Sequence, residues 1–396
     1  MHVAVATRAY LPYPYAASIN IVGGCVGLAR LGHRVTMLAG WKLHRPPLGR
    51  GSVWDYYGVE RCFDLIRFVE FPRVGWWFDR RVTEWAKRAG ALLYTRDLRL
   101  LAPAARAGVP CIAEVHTEVG PRDQAVLGEA LLSGAALGLV VITEALRQHF
   151  DRVLPRAVPR DKIVVAPDAV DPHRFRPAPD RRTGSLPRMT VGYVGSLFPG
   201  KGLEILVPLA RRMPDVRFVV WGGSRRDVRA WRRRTRDVPN LRFAGFAPPR
   251  DVPSILQRLD VGLVPNQPHV VLRSGTDIGP YTSPTKIFEY MASGIPMIVS
   301  DLPVLREVVR PGENALVARH DDVGDWQEKL ERLRSDDHLR ARLAQNSRRE
   351  AVERFSHEAR FREIFRQLGP TLSPSHSPDR PEDVQSRTPS GTGPVR

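Results

Sequence analysis

Residues 281–300 read YTSPTKIFEYMASGIPMIVS. Ser283 is a helix-capping residue type and Pro284 suits a first turn. Gly294 can end the helix before Ile295 to Ser300 continues as a buried strand. The stretch therefore predicts a short helix feeding a strand, with both helix ends written into the sequence. Ile287, Phe288, Met291 and Ala292 make its apolar face, and Lys286 and Glu289, three apart, share another. Lys286 falls in the first turn, where free backbone N–H groups already make the helix end positive. An anion at the helix start removes that conflict, and phosphate is the usual one. The alternative is a solvated Lys beside a solvated Glu, and spacing does not separate the two.

Working outward, apolar runs and helical stretches alternate on both sides. In the first half, residues 2–7 (HVAVAT) precede a helix from about Ser18 to Leu31, and Gly32 ends it before a strand at Arg34 to Ala39. Gly23, Gly24 and Gly27 lie inside that helix and read as close helix packing, not as a phosphate loop. Residues 43–57 read as a long loop. Strands at 65–69, 91–94, 110–114 and 137–142 follow, with a helix at 97–107. His116 comes just after a strand's carboxyl end, where parallel sheets place ligand-binding loops. A single His there is also compatible with a purely structural role.

Residues 176–188 carry Pro177, Pro179 and Pro187 with few apolar side chains, and read as a linker. Alternation then restarts. The strand Met189 to Val194 runs into Gly195-Ser196-Leu197-Phe198-Pro199-Gly200-Lys201-Gly202 and a helix. That order suggests a phosphate cradle of backbone N–H groups with Lys201 adding a point charge. The octet nearly matches the nucleoside triphosphatase pattern G-x-x-x-x-G-K-[ST], so a P-loop-like nucleotide hydrolase is a rival reading. Gly202 stands where that pattern needs a magnesium-binding hydroxyl.

The run SPTKIFEYMASGIPMIVSDLPVLREVV, with VGYVGSLFPGKG and YTRDLRLLAPAARAGVPCIAEVHT, resembles the family 4-type retaining glycosyltransferases. The resemblance implies an α/β GT-B fold, two facing Rossmann-like domains with parallel sheets and a deep cleft between them. It implies an N-terminal acceptor domain over 1–180, a linker at 181–187, a nucleotide-sugar donor domain over 188–355, a helix over 356–368 crossing back to the first domain, and a disordered tail, 369–396. Glu289 matches the second Glu of the family's Glu-x7-Glu pair, which holds the ribose. The first would fall at Tyr281, a departure, and Asp277 is a candidate substitute. Lys201 matches the diphosphate-binding Lys, whereas Ser196 stands where Arg is usual. His116 matches the His that faces the donor sugar.

His116, Lys201 and Glu289 are thus the expected catalytic residues. Gly195, Ser196, Gly200, Asp277, Tyr281, Ser283, Thr285 and Lys286 join Lys201 and Glu289 as donor-binding candidates, and Ser18, Asn20 and Arg80 are acceptor-binding candidates. The resemblance implies a nucleotide-sugar co-substrate, a glycan, lipid-linked or small-molecule acceptor, retention of configuration, and no cofactor or metal. The chain has no Asp-x-Asp, the metal-binding pair of the other major glycosyltransferase fold.

Composition bounds the remaining alternatives. Lys plus Arg number 60 against 42 Asp plus Glu, a net charge of +18 over 396 residues, which favours an anionic partner. A non-catalytic basic binding protein of the same fold is therefore a third reading. No recognised nucleic-acid module accompanies the charge, so no specific nucleic-acid partner is expected. Trp76 and Trp77 beside Arg80, Arg81, Lys87 and Arg88 suit either a helix resting on an anionic membrane surface or an ordinary amphipathic helix. Cys25, Cys62 and Cys111 form no C-x-x-C pair, and the first apolar run is too short for a signal peptide. The expectation is a cytoplasmic protein, either free or peripheral on the membrane's cytoplasmic face.

Overall fold

Short runs of Val, Ile, Leu and Ala that are buried on both faces are the mark of parallel strands sandwiched between helices. The computed structural model describes residues 1–41, 52–69, 74–179, 184, 186, 188–272 and 274–368. The predicted tail, most of the linker and much of the loop at 43–57 lie outside the described residues.

The first lobe is built on β1 (His2–Thr7), β2 (Arg34–Trp41), β3 (Asp64–Val69), β4 (Leu92–Thr95), β5 (Cys111–Val115), β6 (Ala136–Val141) and β7 (Ile163–Val165). These form one parallel sheet in the order β3-β2-β1-β4-β5-β6-β7. Its helices are α1 (Ala16–Arg30), α2 (Val53–Tyr57), α3 (Gly75–Arg88), α4 (Leu101–Ala107), α5 (Pro121–Leu132) and α6 (Glu144–Val153). Part of the expected loop at 43–57 is thus helical. Ser52 accepts the Asp55 backbone N–H at 3.1 Å while the Asp55 carboxylate accepts that of Ser52 at 3.2 Å, a capping box that starts α2. The sequence reading also passed over α5, which starts at Pro121.

The second lobe repeats the plan with β8 (Thr190–Val194), β9 (Arg217–Trp221), β10 (Leu241–Gly245), β11 (Val261–Val264), β12 (Met297–Ser300) and β13 (Leu316–Ala318). They are parallel in the order β10-β9-β8-β11-β12-β13. Around them lie α7 (Leu203–Arg212), α8 (Arg225–Arg234), α9 (Val252–Leu256), α10 (Thr285–Ala292), α11 (Pro303–Arg306), α12 (Val323–Ser335) and α13 (Asp337–Glu353). Two parallel sheets with flanking helices make this a GT-B architecture. In each lobe the loops that leave the strands' carboxyl ends face the crevice between them, the usual ligand position of such sheets.

The last helix, α14 (His357–Gln367), packs on α1 of the first lobe. The glycines of α1 explain how closely. A Cβ at Gly23 would stand 2.2 Å from Nε2 of His357, and one at Gly27 would stand 2.5 Å from its Cβ and 2.9 Å from its carbonyl carbon. Among the described residues, no helix is long and apolar enough to cross a membrane.

Candidate functional site

The helix expected at 281–300 is α10, preceding β12. Its C-terminus closes as predicted: Gly294 adopts φ +59°, its N–H bonds to the Met291 carbonyl at 3.0 Å, and the Ile295 N–H reaches the Tyr290 carbonyl at 3.0 Å. Its N-terminus differs from expectation. Pro284 occupies the N-cap position and no side chain caps the helix. Ser283 turns away, and its hydroxyl accepts the backbone N–H of Asp168 from the first lobe at 3.1 Å. The backbone N–H groups of Thr285 and Lys286 consequently make no hydrogen bond to a described residue.

Lys286 is buried, 6% exposed, and its side chain runs back toward the end of β8. A Cβ on Gly195 would lie 3.3 Å from the Lys286 Nζ, a tight contact that glycine avoids. That ammonium sits 3.7 Å from the centroid of the Tyr193 ring and has no hydrogen-bond partner among the described residues. Burial, and then the charge of Lys201, hold its pKa well below the usual lysine range. Lys201 is itself buried, makes no ion pair with a described residue, and is pulled down by burial to about 8. Two buried amines thus lie within electrostatic reach of one another, that of Lys286 where α10 begins and β8 ends. Such an arrangement is unfavourable without an anion and favourable with one.

Part of the backbone cradle expected at 195–202 is engaged from within the protein. The Glu204 carboxylate accepts the N–H groups of Gly200, at 3.3 Å, and Gly202, at 3.1 Å, so neither is open to a phosphate. Gly200 and Gly202 have φ of +80° and +93°, and added Cβ atoms would lie 1.8 Å from the His269 carbonyl oxygen and 2.0 Å from that of Pro265. Their role is tight packing under the segment that follows β11. Ser196 engages its carbonyl with the Tyr193 hydroxyl at 2.6 Å.

Glu289 lies one turn beyond Lys286. Its carboxylate makes no hydrogen bond to a described residue, and burial pushes it up to about 7 against the opposing charges of Arg174 and Lys286. Asp277 behaves in the opposite way. It accepts from the backbone N–H groups of Val270 and Gly279, each at 2.9 Å, and pairs with His269 Nδ1 at 2.7 Å, which folds its carboxylate back on its own loop. Tyr281, in the position of the missing Glu, hydrogen-bonds Glu118 of the first lobe, and its ring packs against His149 at 5.8 Å. A second tie crosses the crevice nearby, where the Glu307 carboxylate accepts the first two N–H groups of α6, at 2.7 and 3.1 Å.

On the opposite wall, His116 follows β5. Its Nε2 lies 2.5 Å from the Glu114 carboxylate and its Nδ1 3.8 Å from Asp168. Burial and then the Arg96 charge hold its pKa below the usual value, favouring neutral imidazole. Burial alone would raise the pKa of Glu114, but Arg360 at 3.1 Å and the His116 hydrogen bond hold it well below the ordinary range. The Tyr94 hydroxyl donates to the same carboxylate. Arg360 comes from α14 and is anchored on the Pro167 carbonyl at 2.8 Å. Arg96, with Nη1 buried and unpartnered, completes this wall. The sequence reading found His116 but missed Glu114, Arg96, Asp168 and Arg360, because contacts between positions 114 and 360 leave no local signature.

Of the acceptor candidates, Asn20 lines the cavity that also contains Tyr94, Arg96, Glu114 and Arg360. Ser18 is buried on α1. Arg80 lies on the exposed face of α3, paired with Glu84 at 2.6 Å.

Known proteins carry similar sequences and folds. A family model described as Glycosyltransferase Family 4 matches residues 25–174, and one described as Glycosyl transferase-like matches residues 203–366. The D-inositol 3-phosphate glycosyltransferase of Stackebrandtia nassauensis is 28% identical over 291 residues, 65% of this chain and 61% of that protein. The putative teichuronic acid biosynthesis glycosyltransferase TuaH of Bacillus subtilis is 24% identical over 180 residues, 43% of this chain and 41% of that protein. The chain thus spans less than two thirds of either relative's length. Anabaena Alr3699/HepE, solved in complex with UDP, superposes with a TM-score of 0.67 at 15% identity, covering 92% of this chain and 98% of that one. WaaG, a glycosyltransferase involved in lipopolysaccharide biosynthesis, gives 0.62 at 14% identity over 91% and 98%.

Proposed function

We propose that the chain is a glycosyltransferase of the family 4 type, and that it moves a sugar from a nucleotide diphosphate sugar to an acceptor hydroxyl with retention of configuration. The observation that carries this reading is Lys286, a buried amine with no hydrogen-bond partner among the described residues, at the open start of α10 and within reach of the Lys201 charge. As the bond between sugar and diphosphate breaks, negative charge develops on the departing phosphate. Fixed cations and free backbone N–H groups in a water-poor crevice stabilise that charge more than they stabilise the bound ground state.

Glu289, with no donor of its own, is suited to accept the ribose hydroxyls. His116, held neutral and oriented by Glu114, faces the donor across the crevice and positions the sugar. Glu114 is engaged by Arg360, Tyr94 and His116, so it is not free to act as a nucleophile. This supports front-face attack, with the acceptor hydroxyl beside the leaving phosphate, and no metal is invoked. The Glu204 carboxylate, which closes the glycine loop's N–H groups, weighs against the P-loop reading.

The test is a screen of UDP-, GDP- and ADP-sugars for slow hydrolysis by the full chain in the presence of EDTA, with the anomeric configuration of the released sugar followed by NMR. Release of the nucleotide diphosphate with retention is expected. Hydrolysis only of ATP, and only with magnesium, would overturn the proposal.

A further inference from the structure

Arginines gather along one helix of the second lobe. Within α8, Arg225, Arg229, Arg232 and Arg233 follow at i, i+4, i+7 and i+8, which sets them on one face, and Arg236 stands just past the helix end. All five line a single hollow of about 420 Å³, together with Phe246, which follows β10. That volume lies in the range of small-molecule sites. The hollow runs beside α8 at the end of β10, the edge strand of its sheet. Gly195, Lys201, Lys286 and Glu289 do not line it, so it is separate from the site at the start of α10.

The apolar face of α8 sets this orientation. Val228 is buried, and the Trp231 ring stacks on Phe243 of β10 with centroids 6.1 Å apart, so the arginine stripe beside them faces the hollow. Arg232 is held there by donating to the Phe243 carbonyl at 3.1 and 2.6 Å, bonds that leave its charge uncompensated. Gly245 turns the chain at φ +93°, and an added Cβ would meet nothing within 4 Å, which keeps the hollow open on the side of β10.

A solvated basic face is the ordinary alternative, and this chain shows how it builds one elsewhere. Arg80 pairs with Glu84, Arg147 with Asp151 and Arg334 with Glu331, each three or four positions apart and at 2.6 to 2.9 Å. The five arginines of the hollow make no ion pair with a described residue. Of the carboxylates nearby in sequence, Asp227 closes the capping box with Ser224, and Asp237 pairs with Arg211 at 3.0 Å. Like charges three or four apart weaken a helix, so α8 carries a repulsion that an anion in the hollow removes.

The chemistry of the lining selects the anion. Guanidinium presents paired N–H donors in a plane that fits phosphate oxygens. From Arg225 to Arg233 the row is about 12 Å long by helix rise, more than a single phosphate spans. A flat lipid surface meets protruding cations and takes up several apolar side chains, whereas these arginines line a hollow in which Phe246 is the large hydrophobic side chain exposed. We propose that the hollow beside α8 is a second anion site, and that it takes a small soluble molecule bearing two or more phosphate groups. The inference goes beyond the glycosyltransferase reading and does not rest on it.

The experiment titrates the full chain, at about 0.15 M salt, with sodium tripolyphosphate, with orthophosphate and with vesicles of phosphatidylcholine and phosphatidylglycerol. Wild type is compared with Arg229→Gln/Arg233→Gln, with Lys286→Met, and with Arg106→Gln/Arg122→Gln, which removes equal charge from the first lobe. Circular dichroism checks that each variant is folded. A tripolyphosphate site is expected that binds about tenfold or more tighter than orthophosphate and survives both Lys286→Met and the first-lobe substitutions. It should weaken about tenfold or more in Arg229→Gln/Arg233→Gln. The site is overturned if tripolyphosphate does not bind, if its binding is lost with Lys286 and kept without Arg229 and Arg233, or if both arginine pairs weaken it equally. Orthophosphate binding as tightly, or vesicles captured through Arg229 and Arg233, would overturn it too. UDP binding to wild type reports on the donor site separately, so either reading can fail alone.

Discussion

The Lys286 ammonium rests 3.7 Å from the centroid of the Tyr193 ring and has no hydrogen-bond acceptor among the described residues, although it is buried. A cation–π contact offsets part of the desolvation of a charge, and the Lys201 charge nearby adds repulsion. The free protein is therefore strained at this point. Lys286→Met, similar in length and uncharged, is expected to raise the unfolding temperature of the free protein, by about 1 kcal/mol or more in stability. Thermal unfolding without nucleotide checks this, and a lower temperature would contradict it.

Proton linkage follows from the same pair. The Lys201 pKa in the folded protein is pulled down by burial to about 8, whereas an unfolded lysine titrates near 10.4. The unfolded chain binds more protons between those values, so this group makes stability rise with pH across that window. A bound diphosphate favours the charged form. Nucleotide diphosphate binding just above pH 8 is therefore expected to take up a proton. Calorimetry in buffers of different ionisation enthalpy measures it, and proton release would contradict the account.

Arg360 and Glu114 join α14 to the His116 wall at 3.1 Å. Arg360→Met leaves the Glu114 carboxylate buried without its cation, a loss of about 3–5 kcal/mol. Adding Glu114→Gln is expected to restore part of it. The depressed Glu114 pKa contributes stability that is present above about pH 4.3 and lost as pH falls. Wild type should therefore weaken more steeply than the double variant in acid. Denaturant titrations of the single and double variants at neutral and acid pH check both points.

Gly27→Ala sets a Cβ 2.5 Å from that of His357 and 2.9 Å from its carbonyl carbon, a clash with backbone that no rotamer relieves. A loss of about 1–3 kcal/mol is expected, with increased hydrogen exchange in α14. An equal substitution at Gly32, where the added atom meets nothing, strains only the backbone at φ +83° and should leave α14 protected.

Much of the architecture was legible because its signals are local. The strand periods, Gly294 and the sequence TKIFEYMA each specify their own conformation. Side-chain assignments that depend on distant partners were not legible. Ser283 has the chemistry of a helix cap, yet Asp168, over a hundred positions earlier, takes its hydroxyl. Asp277 has the charge expected near a sugar, but three neighbours in its own loop engage it. The glycine loop has the spelling of a phosphate cradle, and Glu204 takes two of its N–H groups, those of Gly200 and Gly202.

The central claim is that Lys201 and Lys286 together hold a pyrophosphate. The most direct measurement is the thermal shift of the full chain with UDP, GDP or ADP in EDTA, for wild type, Lys201→Met and Lys286→Met. A nucleotide held at 100 times its dissociation constant should stabilise wild type by about 2.7 kcal/mol, and neither variant by more than a small fraction of that. If no nucleoside diphosphate shifts wild type, or if both variants respond as wild type does, the two ammonium groups do not grip a diphosphate and the account is wrong.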